Sequence, residues 1–115
     1  NDLKSYRDKI ILPTHLSEAA PSWFGFLVTV REKAGFRREE IERHLTERKI
    51  MTRALFCGNI TKQPLMYGTQ YKVVGSLRNT DYVMNNTFWV GVQPNITDVK
   101  REYMAECFRE FFEIH

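Results

Sequence analysis

The stretch Ile50-Met-Thr-Arg-Ala-Leu-Phe-Cys-Gly-Asn-Ile-Thr-Lys-Gln-Pro64 sets an apolar run around one arginine and then breaks into a polar loop. Met51, Ala54, Leu55 and Phe56 are too few for a helix and stop at Gly58-Asn59, so they predict a short buried strand. Arg53 is the exception within it. A guanidinium beside a buried strand is costly unless paired, and its planar fork suits a carboxylate or phosphate held at two points. The alternative is an arginine lying on the wet face of a sheet.

Toward the N-terminus, Arg37 to Lys49 places Ile41 and Leu45 one helical turn apart. Glu39 and Glu40 in the first turn and Arg48 and Lys49 in the last complement the helix dipole. His44 lies between the apolar positions and edges the core or faces water. Arg31 to Gly35 turns the chain out of Ser22-Trp-Phe-Gly-Phe-Leu-Val-Thr-Val30, whose aromatic and β-branched content makes it the strongest strand signal in the sequence. Pro13 to Pro21 has little periodicity and predicts an extended linker, with His15 a surface side chain. The chain opens without methionine on Asn1-Asp-Leu-Lys-Ser-Tyr-Arg-Asp-Lys9, which reads as the tail of a longer helix stopped at Ile10-Ile-Leu-Pro13. The expectation is therefore a fragment, with 1–21 the end of an inter-domain helix and its linker and 22–115 a small domain.

Toward the C-terminus, Met66 to Gly75 is too irregular for a strand and predicts an excursion. Thr80-Asp81 predicts the start of a short helix that ends by Asn85-Asn86, with Thr80 as its cap. Thr87-Phe-Trp-Val-Gly-Val92 is a third strand, closed by Gln93-Pro94-Asn95. Thr97 caps a last helix on which Val99, Tyr103, Cys107, Phe111 and Ile114 recur every three or four residues, with Phe108 and Phe112 widening the stripe. The order predicts an α+β fold: a small three-stranded, mainly antiparallel sheet covered on one face by helices. The other face would carry Trp23, Trp89 and Phe residues, either as an interaction surface or as core packed in both directions.

Composition bounds the function. With 115 residues, 43% of them apolar, the chain is one domain burying roughly two-thirds of its unfolded surface. The net charge of +3 comes from 17 basic and 14 acidic residues interspersed along the chain, a weak footing for nucleic acid. No signal peptide is recognisable, and no apolar run approaches the ~20 residues that span a bilayer. Cys57 and Cys107 lack CxxC spacing and predict buried free thiols in a reducing compartment. The Asn-x-Thr matches at Asn59, Asn85 and Asn95 then read as chance or turn chemistry.

Three blocks carry a resemblance: Pro21-Ser-Trp-Phe-Gly-Phe26; Thr52-Arg53 with Gly58-Asn-Ile-Thr-Lys-Gln-Pro64; and Asn79-Thr-Asp81 followed by Met84-Asn-Asn-Thr-Phe-Trp-Val-Gly91. In this order, over Ser22 to Phe112, they resemble the C-terminal small domain of the sugar-nucleotide aminotransferase/dehydratase family of fold-type I pyridoxal phosphate enzymes. Within it the chain looks most like the CDP-4-keto-6-deoxyglucose 3-dehydrases of bacterial lipopolysaccharide synthesis. The resemblance implies a large domain elsewhere that holds pyridoxal or pyridoxamine phosphate, a catalytic lysine or histidine and, in the dehydrases, a 2Fe-2S cluster. It implies no catalytic residue and no metal in this chain, since Cys57 and Cys107 match no part of the cluster motif.

What the small domain would contribute is one side of a cleft. The resemblance implies that Phe24 lines the pocket near cofactor and sugar, and that Arg53 reaches the sugar nucleotide or its phosphates. Asn59 and Asn86 would contact sugar hydroxyls or fix the loops that do. Tyr82 departs from a pattern that has a basic residue there. The implied substrate is a nucleotide-linked 4-keto-6-deoxyhexose, dehydrated at C3 in a cytoplasmic homodimer, with an iron-sulfur flavin reductase completing deoxygenation. An aminotransferase of the same family is the alternative. A rival class, an RNA-binding module, is suggested by Phe24-Gly-Phe-Leu27 but opposed by Ser22, Trp23 and Thr29, where that motif has other residues.

Overall fold

The computed structural model describes residues 2–115; Asn1, the first residue of the expected helix tail, lies outside them. Four strands, β1 (Ile10–Ile11), β2 (Gly25–Val30), β3 (Thr52–Ala54) and β4 (Thr87–Gly91), form an antiparallel sheet in the order β1-β2-β4-β3. Three α-helices, α1 (Arg38–Glu47), α2 (Arg78–Asn86) and α3 (Asp98–Ile114), complete an α+β fold. The sheet has four strands where three were expected.

The extra strand is Ile10–Ile11, where the expected helix tail was to stop. Lys4–Tyr6 makes only one 3-10 turn, and the chain then extends so that Ile10 pairs with Val30 and Ile11 with Thr29. Extension lets Ile10 bury completely beside Val30, burial that a charged, isolated helical turn could not supply. The Arg31 side chain donates to the Arg7 carbonyl at 2.7 Å and its backbone N–H to that of Lys9 at 2.9 Å, closing the edge.

Alternation along β2 and β4 assigns the two faces. On the helix-covered side Val28 faces Phe88, Val90 faces Phe26 and Val30 faces Ile10, and Val28, Val30, Phe88 and Val90 are buried. On the other side lie Leu27 and Thr29, opposite Trp89 and Thr87, with the two threonine hydroxyls 2.9 Å apart. Helix α3 seals the core with Ala105, Cys107, Phe108, Phe111 and Phe112. The expected stripe is buried at Cys107, Phe108, Phe111 and Phe112, whereas its members Val99, Tyr103 and Ile114 are exposed. The buried rings are those that meet Phe36 and Tyr6, with centroids 4.8 Å apart for Phe36 and Phe111 and 4.7 Å for Tyr6 and Phe112.

The helix ends follow capping chemistry. Thr97 accepts from the Lys100 N–H at 3.4 Å, as expected, and Glu40 accepts from the Arg37 N–H at 2.7 Å. Helix α2 begins at Arg78, two residues before the expected cap at Thr80, and its N-cap Leu77 makes no side-chain bond. Helix α1 closes in a Schellman turn: the Ile50 N–H reaches the Leu45 carbonyl at 2.9 Å and the Lys49 N–H that of Thr46 at 3.0 Å. Lys49 sits at φ 64°, a left-handed conformation that costs a side chain roughly 1 kcal/mol and costs glycine nothing. Lys49→Gly is therefore expected to stabilise the chain by about 0.5–1 kcal/mol in reversible urea denaturation, with an unchanged m value.

Candidate functional site

Trp89 organises the open face. It is the central residue of β4 on that side, flanked by Arg53 of β3 and Leu27 of β2. Its ring leans diagonally over Gly25, where a Cβ would stand 2.4 Å from the six-membered ring. Only a residue without a side chain admits the indole there. The Arg53 guanidinium carbon lies 5.9 Å from the indole centroid on one flank, and the Phe24 ring 5.2 Å from it on the other. Phe56 stacks on Phe24 at 6.2 Å with 24° between the planes. Arg53 and Phe24 thus share one face and one supporting ring.

This corrects the reading of 51–56 as a buried strand. Only Thr52–Ala54 is extended, and Met51, Phe24 and Phe56 are all more than 70% exposed. β3 is a three-residue edge strand, so its outward side chain stays in water and no burial penalty falls on the guanidinium. Among the described residues no carboxylate pairs with Arg53. Its cation–π contact, worth ~0.5–1 kcal/mol at an exposed site, orients the fork while leaving its donors free.

The loop that follows is clamped from beneath by α2. Gly58 adopts φ +59°, and a Cβ there would come within 2.2 Å of the Met84 Cγ. The Met84 sulfur accepts the Asn59 N–H at 3.2 Å. Asn59 is buried, and its side chain ties the loop to itself and to α2: Oδ1 accepts from the Thr61 N–H at 3.0 Å and hydroxyl at 2.7 Å, while Nδ2 donates to Asp81 at 2.7 Å. Asp81 also meets Lys62 at 2.9 Å. The Asn59 amide, and after it Lys62, hold the Asp81 carboxyl below the usual aspartate range. Asn59 therefore fastens the loop and joins it to α2, and has no exposed amide to present.

Asn86 is not brought to this wall. It ends α2 at the Thr87 end of β4, whereas Phe24 adjoins the Gly25–Gly91 end. Its amide donates to the Tyr82 carbonyl at 2.9 Å, and it lines a polar cleft of about 700 Å³ with Asp8, Arg31 and Arg78. Tyr82 in turn donates to the Val30 carbonyl at 3.0 Å, so this departure from the family pattern anchors α2 to the end of β2. A larger cavity of about 800 Å³ lies on the helix-covered side, lined by Ile10, Phe26, Val90, Met104 and Phe108.

Cys107 is buried as expected, but Cys57 is exposed, because the strand ends before it reaches the core. His44 edges the core, with Nε2 2.9 Å from the Cys107 carbonyl oxygen. Among the described residues no three His, Cys, Asp or Glu side chains cluster as metal ligands, and no helix is long and apolar enough to cross a membrane. The wall offers flat aromatic carbon and one guanidinium. That suits one side of a planar anionic group but does not enclose a pyridoxal phosphate.

The profile of the DegT/DnrJ/EryC1/StrS aminotransferase family matches residues 1–109. The chain belongs to this family. The lipopolysaccharide biosynthesis protein RfbH of Salmonella typhimurium is 42% identical over 113 residues, covering 98% of this chain and 26% of that protein. The dTDP-4-dehydro-2,6-dideoxy-D-glucose 3-dehydratase of Saccharopolyspora spinosa is 43% identical over 102 residues, covering 89% of this chain and 22% of its own. The fold matches E coli GDP-4-keto-6-deoxy-D-mannose-3-dehydratase, solved with bound hydrated PLP, at a TM-score of 0.74 and 23% identity, over 92% of this chain and 28% of that one. The chain thus spans about a quarter of the length of the relatives it matches. The fold is that of a domain of fold-type I pyridoxal phosphate enzymes, within the family that the sequence blocks indicated.

Sequence reasoning missed the roles of Met84 and Phe56 and the central position of Trp89. A signal for Trp89 was present: alternation in Thr87-Phe-Trp-Val-Gly91 puts it on the face opposite the buried Phe88.

Proposed function

We propose that the chain is the C-terminal small domain, with 22–115 its body and β1 from the joining segment 1–21 completing its sheet, of a pyridoxal/pyridoxamine phosphate-dependent sugar-nucleotide 3-dehydratase. The type is CDP-4-keto-6-deoxyglucose 3-dehydrase, acting in the cytoplasm in deoxysugar and lipopolysaccharide O-antigen biosynthesis. The observation that carries this reading is the shared Trp89 support of Phe24 and Arg53: an aromatic wall with a free guanidinium on its edge.

In this reading Arg53 grips the diphosphate of the nucleotide-linked 4-keto-6-deoxyhexose with two parallel N–H donors. Phe24 and Trp89 form the flat wall that orients the sugar and excludes water from the closed cleft. Asn59 holds the loop between them and α2, and Asn86 fixes the far end of that helix. The cofactor, held in the parent by residues outside this chain, supplies the amine and the electron sink for loss of the C3 hydroxyl. No proton transfer is assigned to a residue of this chain. Cys57 and Cys107, one exposed and one buried, do not form a cluster site, so a 2Fe-2S group and its reductase would be served by residues outside this chain.

The test uses the full-length homodimeric parent loaded with pyridoxamine phosphate and given CDP-4-keto-6-deoxyglucose. Loss of the C3 hydroxyl, followed by mass spectrometry, is the expected result. Formation of a 4-amino sugar with glutamate as donor would establish the aminotransferase alternative instead. The 115-residue chain alone is expected neither to retain pyridoxal phosphate on gel filtration nor to turn over substrate.

A further inference from the structure

Phe56 is the anomaly that the proposed function leaves unused. It adopts φ +46°, left-handed backbone that a bulky side chain avoids, and presents a ring 74% exposed to solvent. Neither feature serves the fold. The ring contributes almost nothing to the core, and glycine or asparagine would hold the turn without strain. Yet the backbone around it is over-determined. The Phe56 N–H is bound to the Ala54 carbonyl at 2.9 Å, Gln63 clamps the Cys57 carbonyl at 2.6 Å, and Gly58 and Asn59 are seated on Met84. What this clamp accomplishes is to lay the Phe56 ring beside Phe24 as a stacked pair.

We propose that Phe56 is a specificity-determining residue of the same site, forming with Phe24 an apolar platform for the deoxygenated, hydrogen-bearing flank of the hexose. This rests on the reading given under Proposed function. Arg53 and Phe24 both adjoin Trp89, and Phe56 adjoins Phe24. In this proposal a ligand whose diphosphate meets Arg53 lays its sugar on Trp89 and the Phe24–Phe56 pair, with the C6 substituent on the Phe56 ring. A C6 methyl packs on aromatic carbon at no polar cost. A C6 hydroxyl pressed there loses its water and finds no partner, which disfavours the 6-hydroxy hexose by about tenfold to a hundredfold.

The experiment measures binding of CDP-6-deoxyglucose and CDP-glucose to the full-length protein by titration calorimetry, with the matching dTDP and GDP pairs in parallel. Variants Phe56→Gly, Phe56→Tyr and Arg53→Ala are compared, and thermal denaturation is followed for each. Phe56→Gly should bind the 6-deoxy ligand about tenfold more weakly, lose the discrimination between the two sugars, and melt no lower than the wild type because the backbone strain is relieved. Phe56→Tyr, which keeps the ring, should restore both affinity and discrimination. If Phe56→Gly binds both ligands as the wild type does, or melts lower than the wild type, the inference is overturned while an Arg53→Ala defect keeps the parent reading standing. Failure of the wild type to bind any of the three pairs removes that reading and the inference together.

Discussion

On the proposed function, Arg53→Ala in the full-length protein is expected to raise KM for the sugar nucleotide by about a hundredfold, with kcat changed far less. A guanidinium that holds a diphosphate in a closed, water-poor cleft contributes ~2–3 kcal/mol through charge-assisted hydrogen bonds. It does so equally before and during the chemistry, which occurs some bonds away, so the loss falls on binding. The change should leave the melting temperature nearly untouched, since Arg53 is exposed and loses only its contact with Trp89. Arg53→Lys should recover little, because an ammonium is a point charge and not a planar fork. An Arg53→Ala enzyme with wild-type KM would remove the diphosphate contact from the mechanism.

Gly25→Ala is expected to be the most damaging single methyl added to the sheet. The new Cβ would lie 2.4, 2.9 and 3.2 Å from three atoms of the Trp89 ring, and a fused aromatic cannot bend away as the end of a flexible chain would. Either the indole is displaced or the β2–β4 pairing opens. Overpacking of this kind costs about 1–3 kcal/mol, and the indole that moves is the one on which both Phe24 and Arg53 rest. On a Trp23→Phe background, Trp89 is the only remaining indole, so its emission should shift to the red as the ring becomes hydrated. The melting temperature should fall by several degrees. Unchanged emission and unchanged melting would mean that Gly25 is not what admits the ring.

The wall and the covered face differ in how they are written along the chain. Val28, Val30, Phe88 and Val90 announce themselves by alternation, and burying one side of a two-faced strand requires nothing beyond that alternation. The last helix shows the limit of the same reasoning. Periodicity on α3 named Cys107, Phe108, Phe111 and Phe112, which are buried, but also Val99, Tyr103 and Ile114, which are not; how much of the stripe is covered was set by the ring partners Phe36 and Tyr6, more than sixty residues away in sequence. Cys57 and Phe56 were misplaced because an apolar composition indicates burial only where an element extends far enough to reach the core, and β3 stops at Ala54. Likewise Ile10–Ile11 became a strand because Val30 and Thr29 offered an open edge, a fact that no local propensity contains.

The amino-acid sequence by itself determined the α+β class, the positions of β2, α1, β4 and α3 within a few residues, the Thr97 cap, and the family to which the chain belongs. These follow from local periodicity, turn chemistry and ordered motif blocks, all of which act over short spans of chain. Tertiary structure alone decided that Arg53 and Phe24 meet across Trp89, that Asn59 ties its loop to α2, that Asn86 lies at the other end of β4, and that Phe56 is exposed on strained backbone. Those are outcomes of strand register and of a loop seated on a helix some twenty-five residues further along, and contacts between distant segments exist only once the chain has closed on itself.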